Sequence, residues 1–179
     1  VQAAAFQADF ILAVGGGSSI DEAKAVAHGA ANPETTIEAI WTKKFQVKKS
    51  LPIGVVLTIA AAGSETSDAS VLTNERTGVK QGINIEFNRP KFAIMNPELT
   101  YTLPKYQLAC GIVDIMMHTL DRYFTSVEGN LLTDSIAEAV LRTTIENGRK
   151  AYHNQTDYDC MSEIMWCGSL SHNGLTGLG

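Results

Sequence analysis

The sequence predicts a parallel α/β layer followed by an all-helical segment. Two apolar runs bounded by glycine or proline, Asp9 to Val14 (DFILAV) and Leu51 to Ile59 (LPIGVVLTI), enclose a helical pattern. Strand, helix, strand in that order implies a crossover between parallel strands. At Pro104 the short apolar runs give way to long helical periodicity. The boundary is placed near Thr102 to Pro104, with one domain over 1–102 and a second over 103–179. Without an initiator Met, and with the tail Leu175 to Gly179 closing no element, both domains are expected to be incomplete.

Residues 1–7 read as the end of a helix. DFILAV is short, apolar and followed by Gly15, Gly16 and Gly17, which predicts a buried parallel strand. A helix then starts at Ser18 or Ser19 and runs to Gly29, a suitable C-cap. A short helix is expected over 35–44, then a second buried strand, LPIGVVLTI. ASVLTN and VKQGINIEF flank the turn Glu75-Arg76-Thr77-Gly78, which predicts a β-hairpin over 69–86. KFAIM (91–95) is a further strand, ended by Asn96-Pro97. Helices are expected at 104–125, with Pro104 in the first turn, and at 130–149 and 158–173. Breaks fall at Gly129 and around His153 to Gln155.

Composition excludes several function classes. The net charge is −5 and no Lys/Arg run forms a basic stripe, which argues against nucleic acid. The longest apolar stretch, Ile53 to Ala62, is about half of a membrane span. The opening VQAAAFQADF has neither a cationic segment nor an apolar core of a signal peptide. Cys110, Cys160 and Cys167 form no C-x-x-C pair and read as reduced thiols packed as small hydrophobes. Cys160 and Cys167 share a helix face. A cytoplasmic location follows as the expectation.

Three segments carry chemistry. Gly15-Gly16-Gly17-Ser18-Ser19-Ile20-Asp21 joins a strand to a helix, where glycines admit a ligand close to the backbone and the free N–H groups favour a phosphate. The same segment is equally a tight turn with a Ser19-x-x-Glu22 capping box, and it lacks G-x-G-x-x-G. Thr58 to Glu65 (TIAAAGSE) sits at the carboxyl end of the second strand, where open α/β sheets bind ligands. Its plain alternative is a packing corner with Ser64 as a cap. Asp114 and His118, spaced i, i+4, lie on one helix face and suit a shared metal. Ile112, Val113, Ile115, Met116 and Met117 surround them, so an isolated carboxylate there is expected to be costly. His28 reads as a helix C-terminal residue, His153 as a loop residue and His172 as the end of the last helix, none of them a preferred ligand.

Together these segments resemble the iron-containing (group III) alcohol dehydrogenases, with the look of the NADP-dependent butanol dehydrogenase and aldehyde reductase branch. The resemblance rests on FILAVGGGSSIDEAKAVA, LPIGVVLTIAAAGSETSDASVLTN, NPELTYTLPKYQLACGIVDIMMHTLDRYFT and MWCGSLSHNGLTGLG, in order over essentially the whole chain. It implies a dehydroquinate synthase-like fold: a parallel-sheet dinucleotide-binding domain, a helical metal-binding domain and an active site between them. It places Gly16, Gly17, Ser18 and Asp21 at the cofactor pyrophosphate and ribose, and Thr58 at the adenine or phosphate side. Lys80 and Leu99 fall at the nicotinamide half, and Asp114 and His118 at two metal ligands. It further implies two more ligand histidines beyond Gly179, and earlier strands, outside this sequence, that set NAD against NADP. Ala62 stands where the family often has Thr.

The implied reaction is hydride transfer between NADP or NAD and a primary alcohol or aldehyde such as butanol or butyraldehyde. A divalent metal assists it, iron(II) by resemblance, with zinc equally suited to the donors. The implied partner is a small-molecule substrate, and family members commonly form homo-oligomers. A sister enzyme resembling glycerol dehydrogenase, or a nucleotide-binding fragment without catalysis, are the competing readings.

Overall fold

The computed structural model describes residues 2–177. A short helix α1 (Gln2–Ala5) precedes strand β1 (Ile11–Gly15), helix α2 (Gly17–Ala31) and the short α3 (Ile37–Trp41). Strand β2 (Ile53–Leu57) follows, then the hairpin strands β3 (Ala69–Asn74) and β4 (Val79–Asn84), then β5 (Phe92–Ile94). Three long helices complete the chain: α4 (Lys105–Tyr123), α5 (Leu131–His153) and α6 (Tyr158–Ser171).

β1, β2 and β5 form a parallel sheet in the order β1-β2-β5, with Ile11 opposite Ile53 and Gly54 opposite Phe92. The hairpin is a separate antiparallel pair in which Asn74 faces Val79 across the predicted turn. β1 is not the fully buried strand its sequence suggests. Ala13 is buried, yet Leu12 and Val14 are 52% and 60% exposed. One face of the sheet packs on α2, while Leu12, Val14, Phe92 and Ile94 lie on a face that no other element among the described residues covers.

Helix limits also move. α2 starts at Gly17 with Gly16 as its N-cap and no side-chain cap bond, so Ser19 lies inside the helix and the capping box is not used. It continues through Gly29 and ends at Asn32, whose Nδ2 donates to the carbonyls of His28 (2.7 Å) and Lys49 (3.0 Å). Gly29 is small for packing instead, since a Cβ there would lie 2.9 Å from Ile37. Thr36 caps a shorter α3 by accepting from Ala39 N. Pro104 occupies the cap of α4, and α5 runs on to His153, which is its last residue and not a loop residue.

One continuous core joins the sheet to the helices. Ile20, Ile53, Val55 and Leu57 pack in the same cluster as Leu108, Ile115, Met161, Ile164 and Met165. Ile115 is fully buried, which favours its place by roughly 1.5–3 kcal/mol. That anchor fixes the rotation of α4 and turns Asp114 and His118 away from the core, toward the end of the sheet. Among the described residues, no helix is long and apolar enough to cross a membrane.

Candidate functional site

A cleft of about 530 Å³ opens where the carboxyl ends of β1 and β2 meet α4. Gly16, Gly17, Ser18 and Asp21 line one wall, Lys80 of the hairpin reaches it from the side, and Asp114 and His118 line the opposite wall. Topology explains the meeting: strands joined by a parallel crossover deliver their following loops to the same sheet end. Another cavity of about 350 Å³, between α3 and the hairpin, has Glu38 as its one ionisable wall residue, and so little chemistry to offer.

At the α2 terminus, no side chain caps the helix, and the first intrahelical bond of this turn is Ile20 N to Gly16 O. The amides of Gly17, Ser18 and Ser19 precede that bond and are left for a ligand, with the positive end of a 15-residue helix behind them. The glycines also answer to their own chain. A Cβ on Gly16 would come 2.3 Å from Ile59 Cγ2, and one on Gly17 would come 3.1 Å from Ala62 Cβ. The loop after β2 therefore presses directly on the turn.

Asp21 lines the cleft but is already engaged. Its Oδ1 accepts from Ser64 Oγ at 2.6 Å and its Oδ2 from Val71 N at 2.9 Å. One turn on, Lys24 is wholly buried and donates to Ser64 O (2.9 Å), Ser64 Oγ (2.8 Å), Ser67 O (3.2 Å) and Ala69 O (2.6 Å). Burial pulls the Lys24 ammonium down to about 8, against the nearby carboxylates of Asp21, Glu65 and Asp68. Glu65, also buried, accepts from Ser169 Oγ at 2.6 Å, and burial raises its carboxyl above the usual range. These contacts join α2, the loop after β2, the hairpin and α6.

On the far wall, Asp114 Oδ1 and His118 Nδ1 are 3.8 Å apart. That is too long for a hydrogen bond, yet within the span of two donors each about 2.0–2.2 Å from one ion. His118 Nδ1 is buried without a partner. An orphaned imidazole nitrogen beside a carboxylate fits a cation, although no group of three or more metal-binding side chains is assembled among the described residues. The helix around the pair is less enclosed than its sequence implies: Val113 and Met117 are 55% and 56% exposed, and Asp114 is half exposed. Solvation relieves Asp114, so burial cost alone does not call for a cation there.

Thr58 and Leu99 are not among the residues lining the cleft. Thr58 is bound through its N–H to Gly15 O (3.0 Å), and the next residue, Ile59, faces the cleft in its place. Leu99 lies on a 3-10 turn, Pro97–Thr100, that packs toward α6, outside the cleft. Conversely, His172, Ser64 and Gln107 line the cleft without having been singled out as site residues. The His172 ring lies 4.5 Å from that of His118, and its Nδ1 is likewise buried without a partner. Burial, then the Arg122 and His118 charges, push His172 down to about 4. His28, by contrast, is a core histidine bonded to Asn88 at 2.7 Å. Cys160 and Cys167 are buried as expected, whereas Cys110 is exposed.

Comparison with known proteins shows the family. The family model described as iron-containing alcohol dehydrogenase matches residues 1–97, and that of the Fe-containing alcohol dehydrogenase C-terminal region matches residues 108–176. NADH-dependent butanol dehydrogenase A of Clostridium acetobutylicum is 42% identical over 171 residues, 96% of this chain and 44% of that protein. The NADPH-dependent aldehyde reductase YqhD of Escherichia coli is 39% identical over 95% of this chain and 44% of its own length. The crystal structure of NADH-dependent butanol dehydrogenase A from Thermotoga maritima superposes with a TM-score of 0.93 at 35% identity, covering 98% of this chain and 44% of that one. Sulfoacetaldehyde reductase from Bifidobacterium kashiwanohense, solved in complex with NAD+, gives a TM-score of 0.87 at 27% identity, over 98% of this chain and 46% of its own. The chain thus spans less than half the length of the relatives it matches, and it belongs to the iron-containing alcohol dehydrogenase family.

Proposed function

We propose that this chain is part of a nicotinamide-dependent dehydrogenase that transfers a hydride between NADH or NADPH and a primary alcohol or aldehyde of the butanol/butyraldehyde kind. The observation that supports it best is the meeting, in one cleft, of an uncapped helix terminus with the orphaned His118 and its neighbour Asp114. In this reading residues 1–102 are part of the dinucleotide-binding domain and 103–179 part of the metal-binding domain.

Gly17, Ser18 and the end of α2 hold the cofactor pyrophosphate through backbone N–H groups. Gly16 keeps the turn tight against Ile59. Asp21 acts chiefly by bracing the hairpin, which carries Lys80 to the cleft. Thr58 and Leu99 act from behind the cleft wall. Asp114 and His118 would hold a divalent ion, iron(II) in keeping with the family, with two ligands supplied from outside this chain. When bound, such an ion supplies Lewis-acid polarisation of the substrate oxygen. The remaining work, orienting the nicotinamide and keeping water from it, falls to the cleft walls.

Crossed variants of the full-length enzyme test this. Gly17→Val should weaken NADH or NADPH binding by about tenfold or more while leaving metal content intact, since the added methyls meet Ala62 and crowd the free amides. His118→Ala should lose metal and turnover while keeping cofactor affinity. Calorimetric titration and metal analysis read the two effects. Normal cofactor affinity in the first variant, or full metal retention in the second, removes the corresponding half of the reading.

A further inference from the structure

We propose that His172 is a positioning residue for the metal centre: its ring packs on His118 and sets the plane in which that imidazole meets the ion. The inference rests on the reading of Asp114 and His118 as ligands. A metal-bound imidazole is normally oriented by a hydrogen bond from its second nitrogen to a carboxylate, a carbonyl or water. With His118 Nδ1 turned to Asp114 as the ligating nitrogen, the second nitrogen is Nε2, and the hydrogen bond His118 makes to a side chain among the described residues is through its backbone carbonyl, which accepts from Arg122, and not through Nε2. What touches the ring instead is another ring. His172 stands 4.5 Å from it, centroid to centroid, tilted by 54°.

His172 is itself held from behind. It caps the C-terminal end of α6, and the backbone of the loop after β2 abuts it at Gly63. There φ is +65°, and a Cβ would lie 2.8 Å from His172 Cβ. A glycine in the left-handed region is what allows that approach. The imidazole is thus clamped between the loop after β2 and α4, and the packing of α6 reaches the ligand through it. Ring packing does the orienting that a hydrogen bond does elsewhere, which predicts that the ring, and not its nitrogen, is what matters.

The test uses the full-length enzyme, stripped of metal and reloaded with cobalt(II), with His118→Ala as reference. His172→Ala and His172→Gln should both weaken metal retention against a chelator by about 10–100-fold, the usual scale for groups that orient a ligand. Both should also shift the cobalt absorption bands. His172→Phe, a ring without nitrogen, should restore retention and spectrum close to wild type. Circular dichroism of the metal-free forms and NADH affinity should not change, which separates positioning from unfolding. The proposal is overturned if His172→Gln holds cobalt as the wild type does, or if His172→Phe is as defective as the alanine variant. If His118→Ala keeps its cobalt, the ligand assignment itself fails, and this proposal with it.

Discussion

Replacing Lys24 by methionine is the most informative perturbation of the scaffold. Methionine keeps the length and packing of the stem but removes the ammonium. The carbonyls of Ser64, Ser67 and Ala69 and the Ser64 hydroxyl then lose a donor held at 2.6–3.2 Å. An orphaned buried polar group costs roughly 1–3 kcal/mol, so these losses together reach several kcal/mol. Against that, the wild type bears the cost of burying a cation. Burial lowers Lys24 from 10.5 to about 8, and with each tenfold in proton affinity worth about 1.4 kcal/mol, the relief is on the order of 3 kcal/mol. The lost hydrogen bonds outweigh the relief, and Lys24→Met should destabilise by about 3 kcal/mol near neutral pH.

The pH dependence gives the sharper check. Between about 8 and 10.5 the unfolded chain keeps the Lys24 proton while the folded chain has shed it. The unfolded state binds more protons there, so stability rises with pH through that window, and the penalty is fully present below it. The methionine variant has no such titration. The stability gap between wild type and variant should therefore widen by about 2 kcal/mol from neutral pH to about pH 9.5. Urea unfolding of the full-length enzyme at the two pH values, followed by circular dichroism, measures it. A gap that stays constant or narrows, or a variant as stable as the wild type, refutes the buried-ammonium account.

Two further substitutions probe how the walls are held. Asp21→Asn keeps an acceptor for Val71 N but turns an NH2 toward Ser64 Oγ, which must give up its own donation, and it removes the negative charge 3.8 Å from buried Lys24 Nζ. It should cost about 1–3 kcal/mol and loosen amide-exchange protection of β3 more than that of α5. Gly111→Ala drives a Cβ to 2.3 Å from the carbonyl of Ala60, a backbone atom. Pushing α4 off the loop after β2 should lower the melting midpoint by an overpacking cost of about 1–3 kcal/mol and weaken metal retention with it, and an unchanged midpoint would count against that contact.

Which parts of this arrangement were legible depends on how local their causes are. The glycine turn between β1 and α2 reads from the sequence because strand, turn and helix are contiguous, and the i, i+4 pair Asp114 and His118 because one helix carries both. Lys24 is harder, since a lysine within a helix reads as a surface residue. Yet Ile20, Lys24 and His28 follow each other at i, i+4 and are all fully buried, so their shared stripe was an available signal. Thr58 against Ile59 is a matter of one residue in the bend that ends β2, and a single step reverses which side chain faces the cleft. His172 was out of reach, because it meets His118 only after α6 has packed beside α4. The exposure of Leu12 and Val14 was equally hidden: the pattern marks them as buried, but cannot say whether the covering layer belongs to these residues.

The loop from Thr58 to Asp68 touches both halves of the cleft, and this bears on whether the two ligands influence each other. On the nucleotide side it presses Ile59 and Ala62 against Gly16 and Gly17 and offers Ser64 to Asp21 and Lys24. On the metal side, Ala60 meets Gly111 of α4 and Gly63 abuts His172. A mobile loop so placed would couple cofactor to metal, because the first ligand to bind would bear the ordering cost for the second. This loop is instead pinned by buried polar contacts at Lys24, at Glu65 with Ser169, and at Thr66, whose carbonyl accepts from Arg89 at 2.7 Å. With no ordering left to share, coupling between the sites has little to draw on. That is why the Gly17 and His118 variants are expected to act separately, each on its own ligand. Lys24→Met, which unpins the loop, is the variant in which cofactor and metal affinities should fall together.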